Sequence, residues 1–295
     1  MRIAVSGTEF SDSEPLGSLV DAATRVGVRA LELWYPRNFG DLSPVEVRHV
    51  LDEAGIEAIC VSTPSELGDP RQAQDSAELL LAAIEVAAQI GATRANTYFG
   101  APEQRDDRAS IARYLHAVTP CLRRAEQLGV VIVLENEFDL FGTDTQQADL
   151  TRRPEAMRAL LEAVGSPCFR ANFDAANFVC AGVQAYPHAY TVLREYVAYA
   201  HVKDVLPVND EAGSVGTRMF VDHGRAHITR PLGHGVIPWP DLLVEFASNP
   251  ALDSLTLEPH LPREQRDEGL AQAVTYVREA LSLQSRHNEE GLPST

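Results

Sequence analysis

Three carboxylates and one histidine stand at the ends of short apolar runs in this chain. Glu135 closes Val131-Ile132-Val133-Leu134, Asp174 closes Phe169-Arg170-Ala171-Asn172-Phe173, His201 lies within Val197 to Lys203, and Glu258 follows Leu255-Thr256-Leu257. Oxygen-rich ligation completed by one imidazole suits a hard divalent cation, Mn²⁺ or Mg²⁺ first, with Co²⁺ or Zn²⁺ admitted by the same set. Three negative charges gathered without a cation would repel one another strongly. Any one of these residues could equally serve a structural ion pair; recurrence at four run ends is what points to a site. The only lysine of the chain, Lys203, follows His201 by two positions, and side chains two apart on a strand share a face. An ammonium placed there could steady a developing enolate oxygen, or simply pair with one of the carboxylates.

Other polar residues sit on the same kind of frame. His260 shares a face with Glu258 and could touch substrate or support that ligand from behind. Glu32 and Trp34 share a face on an earlier run and offer a hydroxyl contact and a stacking wall, although an ion pair at the barrel bottom would give Glu32 the same sequence. Asn96 and Tyr98 form a similar pair. A loop-like stretch carries His223, His227 and His234 with Arg218, Arg225 and Arg230. Histidines on a mobile lid and arginines gripping phosphate or carboxylate are one reading; ordinary surface residues are the other.

The elements that must position these side chains alternate from end to end. Short runs, most of them apolar and β-branched, are Ile3 to Ser6, Ala30 to Trp34, Ala58 to Ser62, Arg94 to Tyr98, Val131 to Glu135, Phe169 to Asp174, Val197 to Lys203 and Leu255 to Glu258. Without strict alternation of polar and apolar residues, they read as parallel strands covered on both faces. Amphipathic segments separate them: Leu16 to Val26, Ser43 to Ala54, Asp75 to Ile90, Ala109 to Leu128, Pro154 to Val164 and Glu268 to Leu283. Gly27, Gly55, Gly91, Gly129 and Gly165 stand where helices stop, as expected of left-handed caps. Eight such units predict an α/β protein, a single (β/α)8 TIM barrel over residues 1–284 with a long loop, Leu206 to Pro240, between strands seven and eight. The polar tail 285–295 is expected to be flexible. No GxGxxG follows the first strand, which argues against a dinucleotide fold.

Composition narrows the function. A formal charge of −17 over 295 residues opposes nucleic-acid binding and adhesion to anionic lipid. No stretch approaches the roughly 20 apolar residues of a membrane span. Cys60, Cys121, Cys168 and Cys180 form no CxxC pair and read as free thiols in a reducing compartment, with cytoplasmic residence the expectation.

The set Leu134-Glu135-Asn136, Asn172-Phe173-Asp174, His201-Val202-Lys203-Asp204, Gly233-His234-Gly235-Val236-Ile237-Pro238-Trp239 and Leu257-Glu258-Pro259-His260 resembles, in that order and over nearly the whole chain, the xylose-isomerase-like TIM barrel superfamily. Its members include ketose 3-epimerases, inosose dehydratases and isomerases, and hydroxypyruvate isomerases. The resemblance implies that Glu135, Asp174, His201 and Glu258 bind the metal, and that Glu135 and Glu258 also serve as acid and base. Many members carry a histidine three residues after the metal-binding aspartate, where this chain has Asn177; a substrate contact there transfers only in part, and the DNA-repair endonuclease branch fits poorly. The expectation is a metal-dependent isomerase or epimerase of a ketose or polyol ketone, working through an enediolate. The candidate substrate contacts are Lys203, His260, Glu32, Trp34, Asn177, His223 and Arg225. The alternatives are a lyase of the same superfamily, dehydrating an inosose or eliminating from a 3-keto-glycoside, and a barrel that binds without catalysis. A small sugar or cyclic polyol ketone is the expected partner, and a homo-oligomer is compatible with the superfamily.

Overall fold

The computed structural model describes residues 1–100, 106–138, 149–208 and 218–290, with side chains as far as 282. Numbered along the chain, the strands are β1 (Arg2–Ser6), β2 (Ala30–Trp34), β3 (Glu57–Glu66), β4 (Arg94–Tyr98), β5 (Val131–Glu135), β6 (Phe169–Asp174), β7 (Val197–Val202), β8 (Asp204–Pro207), β9 (Met219–Asp222), β10 (Arg225–Arg230) and β11 (Ser254–Leu257). The helices are α1 (Leu16–Arg25), α2 (Pro44–Ala54), α3 (Ala73–Ile90), α4 (Asp107–Leu128), α5 (Pro154–Val164), α6 (Ala175–Cys180), α7 (Tyr190–Leu193), α8 (Trp239–Ala247) and α9 (Arg263–Glu290). Strands β1 to β7 and β11 are parallel and close into a barrel, β11 pairing with both β7 and β1. This is the TIM barrel that the strand–helix alternation predicts.

Local chemistry places the ends of the helices. Ser43 caps α2 in a reciprocal box with Glu46, and Gly55, Gly91, Gly129 and Gly165 end α2 to α5 in the left-handed conformation, which costs glycine little. One apolar layer joins the outer faces of the strands to the helices, through Leu31, Leu80, Leu160, Phe173 and Phe246 among others. A smaller cluster of Ala4, Ala30, Ile59, Cys60, Val133 and Tyr199 fills the barrel interior. Below it, at the N-terminal ends of the strands, Arg94 donates to Asp253 Oδ1 at 2.6 Å and to the Ala198 carbonyl at 3.3 Å, and lies over the Tyr199 ring.

The described residues of the stretch expected as a loop carry regular elements. β8, β9 and β10 form an antiparallel sheet of their own, in the order β8-β10-β9, and α8 begins at Trp239. His223 and Gly224 take φ of 46° and 80°, the positive values a two-residue hairpin turn requires. Strands of four to six residues with mixed polarity carry too little pattern to stand out in the sequence, and the prolines around Trp239 mask a helix start that proline at N1 favours. The base of this excursion is tied by Asp204. Its Oδ2 accepts from the N–H groups of Gly233 and Gly235 at 3.0 Å each, and its Oδ1 from Val205 at 3.0 Å and Ile237 at 3.4 Å. A Cβ on Gly235 would lie 2.0 Å from Asp204 Oδ1, so only glycine fits that clasp.

All four cysteines are free. Among the described residues, no helix is long and apolar enough to cross a membrane.

Candidate metal centre

The C-terminal ends of β5, β6 and β7 and the residue after β11 bring Glu135, Asp174, His201 and Glu258 together. One donor atom from each lies within 4.8 Å of all the others, and all four residues are buried. His201 is the hub. Its Nδ1 is 3.1 Å from Glu135 Oε1 and 3.3 Å from Glu258 Oε2, while its Nε2 is 2.8 Å from Glu32 Oε2. With the Nε2–H donated to Glu32, the Nδ1 lone pair faces the other carboxylates; a carboxylate behind an imidazole fixes the tautomer that a metal needs.

The remaining donors each have a second contact. Asp174 accepts the Asn177 N–H at 2.9 Å as the cap of α6, and its Oδ2 lies 2.7 Å from Lys203 Nζ. Asn136 holds the Asp174 backbone from both sides, donating to its carbonyl at 2.9 Å and accepting its N–H at 2.8 Å. Glu135 accepts from Asn96 at 3.0 Å, Asn172 at 3.2 Å and Asn177 at 3.3 Å. Glu258 accepts from the Ser6 hydroxyl at 2.8 Å and lies 3.6 Å from both Lys203 and His260.

Electrostatics follow from this packing. Burial alone would lower the His201 and Lys203 values, but the charges of Glu135, Glu258 and Glu32 on His201, and of Asp174, Glu258 and Glu135 on Lys203, raise both above their usual ranges. Burial pushes the Glu258 carboxyl up, yet His201, Lys203 and His260 hold it well below the ordinary carboxylate range. For Asp174 burial prevails over Lys203, and Glu135 adds to it, so this carboxyl is raised. Four buried carboxylates, Glu32, Glu135, Asp174 and Glu258, share the Lys203 ammonium and the His201 imidazole, while the nearby His260 is matched by Glu9. Even with His201 protonated, two negative charges are unmatched, the charge of one divalent ion. Three carboxylate oxygens and one ring nitrogen within mutual reach fit such an ion in number and type.

The other sequence candidates fall in three places. Lys203, Asn177 and His260 lie at the cluster. His260, at φ 47°, also contacts Glu9 Oε1 at 3.0 Å through both its Nδ1 and its backbone N–H. Glu32 lies beneath the cluster with its oxygens taken by His201, Ser6 at 3.1 Å and Tyr199 at 2.7 Å; it orients His201 and has no exposed surface. Trp34 stacks on Tyr98, with 6.1 Å between centroids. Burial raises the Tyr98 phenol, and the charges of Glu135, Glu137 and Glu258 add to it. Arg225 is engaged elsewhere, donating to Asp222 at 2.8 Å and to the Ala181 carbonyl at 2.9 Å, which ties the hairpin to the end of α6; Arg152 meets the same Asp222 at 2.7 Å. His223 stands in that turn, 3.8 Å from Asp222. Phe220 is an addition that the sequence does not announce: β9 lays its buried ring 5.9 Å from Lys203 Nζ and 6.0 Å from the His260 ring.

The model of the xylose isomerase-like TIM barrel family matches residues 20–280. This chain belongs to that family. No curated protein sequence matches it, but solved structures of the same architecture do. A structure of L-ribulose 3-epimerase superposes with a TM-score of 0.75 at 15% identity, covering 100% of this chain and 99% of its own. A xylose isomerase-like TIM barrel protein from Mycobacterium smegmatis, in complex with magnesium, gives 0.73 at 17% identity, covering 96% and 97%. A probable 3-DHS dehydratase from Bacillus anthracis gives 0.71 at 15%, covering 94% and 99%. At such identities the likeness is one of fold. The xylose isomerase-like barrel is thus common to an epimerase and a dehydratase, and the chemistry must be argued from the side chains.

Proposed function

We propose that this xylose isomerase-like barrel is a divalent-metal-dependent isomerase or epimerase of a ketose or related polyol ketone, acting through an enediolate. The observation that carries the reading is the convergence of Glu135 and Glu258, from strands on either side of β7, onto the same His201 Nδ1. A bound Mn²⁺ or Mg²⁺, held by Glu135, Asp174, His201 and Glu258, would supply Lewis-acid polarisation of a substrate carbonyl. The protein's own groups do the rest. Glu258, kept ionised by its cationic neighbours, takes the proton from the carbon beside the carbonyl. Glu135, steadied by three amide donors, stands across from it to return a proton to the other face. Proton transfer of this kind contributes about 10²- to 10⁴-fold. Lys203 holds Asp174 and Glu258 in register, and Phe220 covers the cluster and limits access of water. The epimerase among the structural neighbours supports this reading.

A lyase is the second reading. His260, beside Glu258 and backed by Glu9, has the position of a general acid for a departing hydroxyl, and one neighbour is a probable dehydratase. Elemental analysis of protein purified without added metal is expected to find about one equivalent of Mn²⁺ or Mg²⁺. Incubation with ketoses, inososes and 3-keto-glycosides in D₂O, followed by NMR, then separates the classes. Deuterium gained with the carbon skeleton intact marks isomerisation or epimerisation, and loss of water or of an aglycone marks elimination. Protein that carries no metal and is unaffected by Glu258→Gln would instead be a binding barrel.

A further inference from the structure

A neutral His201 ring can hold its proton in two ways, and only one of them admits a metal. Nε2 lies 2.8 Å from Glu32 Oε2 and 3.2 Å from Asn172 Nδ2. Nδ1 lies 3.1 Å from Glu135 Oε1 and 3.3 Å from Glu258 Oε2. With the proton on Nε2, the ring donates to Glu32 and turns its lone pair toward the ligand carboxylates. With the proton on Nδ1, the ring donates to Glu135 or Glu258, Asn172 donates to the bare Nε2, and the proton stands where the cation would. Both arrangements satisfy the ring. The second diverts an Asn172 hydrogen, since the same amide nitrogen also serves Asn96 Oδ1 at 3.1 Å and Glu135 Oε2 at 3.2 Å. The first depends on Glu32, the one acceptor within reach of Nε2 among the described residues.

Glu32 is itself held by a chain of hydrogen bonds whose direction is set from its own end. A carboxylate only accepts, so the Tyr199 hydroxyl, 2.7 Å from Oε2, donates to it. The other partner of that hydroxyl is Thr256 Oγ1, which must then be the donor. Glu32, Tyr199, His201 and Thr256 all have no exposed surface, so solvent does not replace a lost donor. The Tyr199 ring is packed among Ala4, Ala30, Ile59, Cys60 and Val133 and meets the His201 ring edge-on, with centroids 5.6 Å apart, which leaves its hydroxyl one place to be. Ser6 is a weaker hold. Its hydroxyl is 3.1 Å from Glu32 Oε1 but 2.8 Å from Glu258 Oε1, and its single hydrogen serves the nearer. We propose that Tyr199 is a positioning residue for the metal centre: by fixing Glu32 against His201 Nε2 it keeps the Nδ1 lone pair open to the cation, and Thr256 orients the Tyr199 hydroxyl. This rests on the metal-dependent reading of the site and on no particular reaction.

The test titrates metal-free protein calorimetrically with Mn²⁺ and with Mg²⁺. Tyr199→Phe removes only the hydroxyl and should weaken both about tenfold, the lower end for a group that acts from behind a ligand. Thr256→Val should weaken them about threefold. Glu32→Leu should weaken them about a hundredfold, and Tyr199→Phe added to it should bring no more than about a further twofold, because the hydroxyl then has nothing to hold. Val133→Ala, in the same interior cluster, should lower the Tm and leave metal affinity within about twofold, which separates positioning from a loosened barrel. If Glu32→Leu does not fold, Glu32→Gln takes its place, and the double variant should again lose less than the two single losses combined. A Tyr199→Phe affinity within about twofold of the unaltered protein overturns the proposal. So does a Tyr199→Phe loss that recurs in full beside the Glu32 substitution. An unaltered protein that binds neither ion overturns it together with the metal centre. Absence of deuterium exchange from every ketose, with the coupling of Tyr199 to Glu32 intact, would sink the isomerase reading and leave this one standing.

Discussion

At the floor of the barrel Arg94 and Arg2 meet Asp253 and Glu57, and each charge has its counterpart. At the mouth, four buried carboxylates share one lysine and one histidine. Both ends are polar plugs in a β-barrel of the same strands, yet the floor is neutral within itself and the mouth is not. A neutral, well-paired plug serves folding. An overcharged one is tolerated where a ligand restores the balance, and regions of that kind are where stability is given up for function.

The contrast can be broken most directly at Asp174. Asp174→Asn keeps an oxygen to cap α6 but removes a charge that burial disfavours. Metal affinity, read by calorimetric titration, should fall at least about a hundredfold, and thermal unfolding in chelator should show no loss of stability. A drop of several degrees in that metal-free Tm would mean the mouth is as much a structural plug as the floor. The converse substitution, Arg94→Met, should cost about 2 kcal/mol in urea unfolding by leaving Asp253 short of a partner, with metal affinity unchanged within about twofold. A smaller effect sharpens the picture in acid. Burial raises the Asp253 carboxyl, but Arg94, Ser254 and Arg2 outweigh it and hold the group below its usual value. A depressed carboxyl contributes stability above its unfolded pKa of about 3.8 that is lost as pH falls through the folded value. Asp253→Asn should therefore flatten the decline in stability between about pH 4 and pH 2, and an unaltered acid limb would deny the floor that role.

Much of this was legible from the chain. β2, β4, β5 and β6 coincide with the runs as read, β2 and β5 because a strand buried on both faces leaves a largely apolar run, and β4 and β6, which carry Arg94, Asn96, Arg170 and Asn172, because they fall in the strand–helix rhythm between glycine-capped helices. The four donors were visible for the same reason, as polar residues interrupting such runs at their ends. What lay out of sight depends on closure of the barrel. Glu32 meets His201 and Tyr199 across the interior, over sequence separations of 169 and 167, and nothing local distinguishes an orienting glutamate from a substrate contact. Glu9 and Ser6 reach His260 and Glu258 only because β1 pairs with β11. The β8–β10 sheet escaped because its strands are short and half-polar, and Phe220 with it.

The clasp at Asp204 bears on how such a barrel changes over time. One carboxylate gathers the N–H groups of Val205, Gly233, Gly235 and Ile237, so the chain leaves β7 and rejoins the frame at almost the same point. Whatever lies between departure and return can be lengthened, shortened or exchanged while the eight staves keep their register. Descendants of this scaffold are then free to redraw the roof over an unaltered hearth, provided the aspartate and the two glycines that receive it are kept.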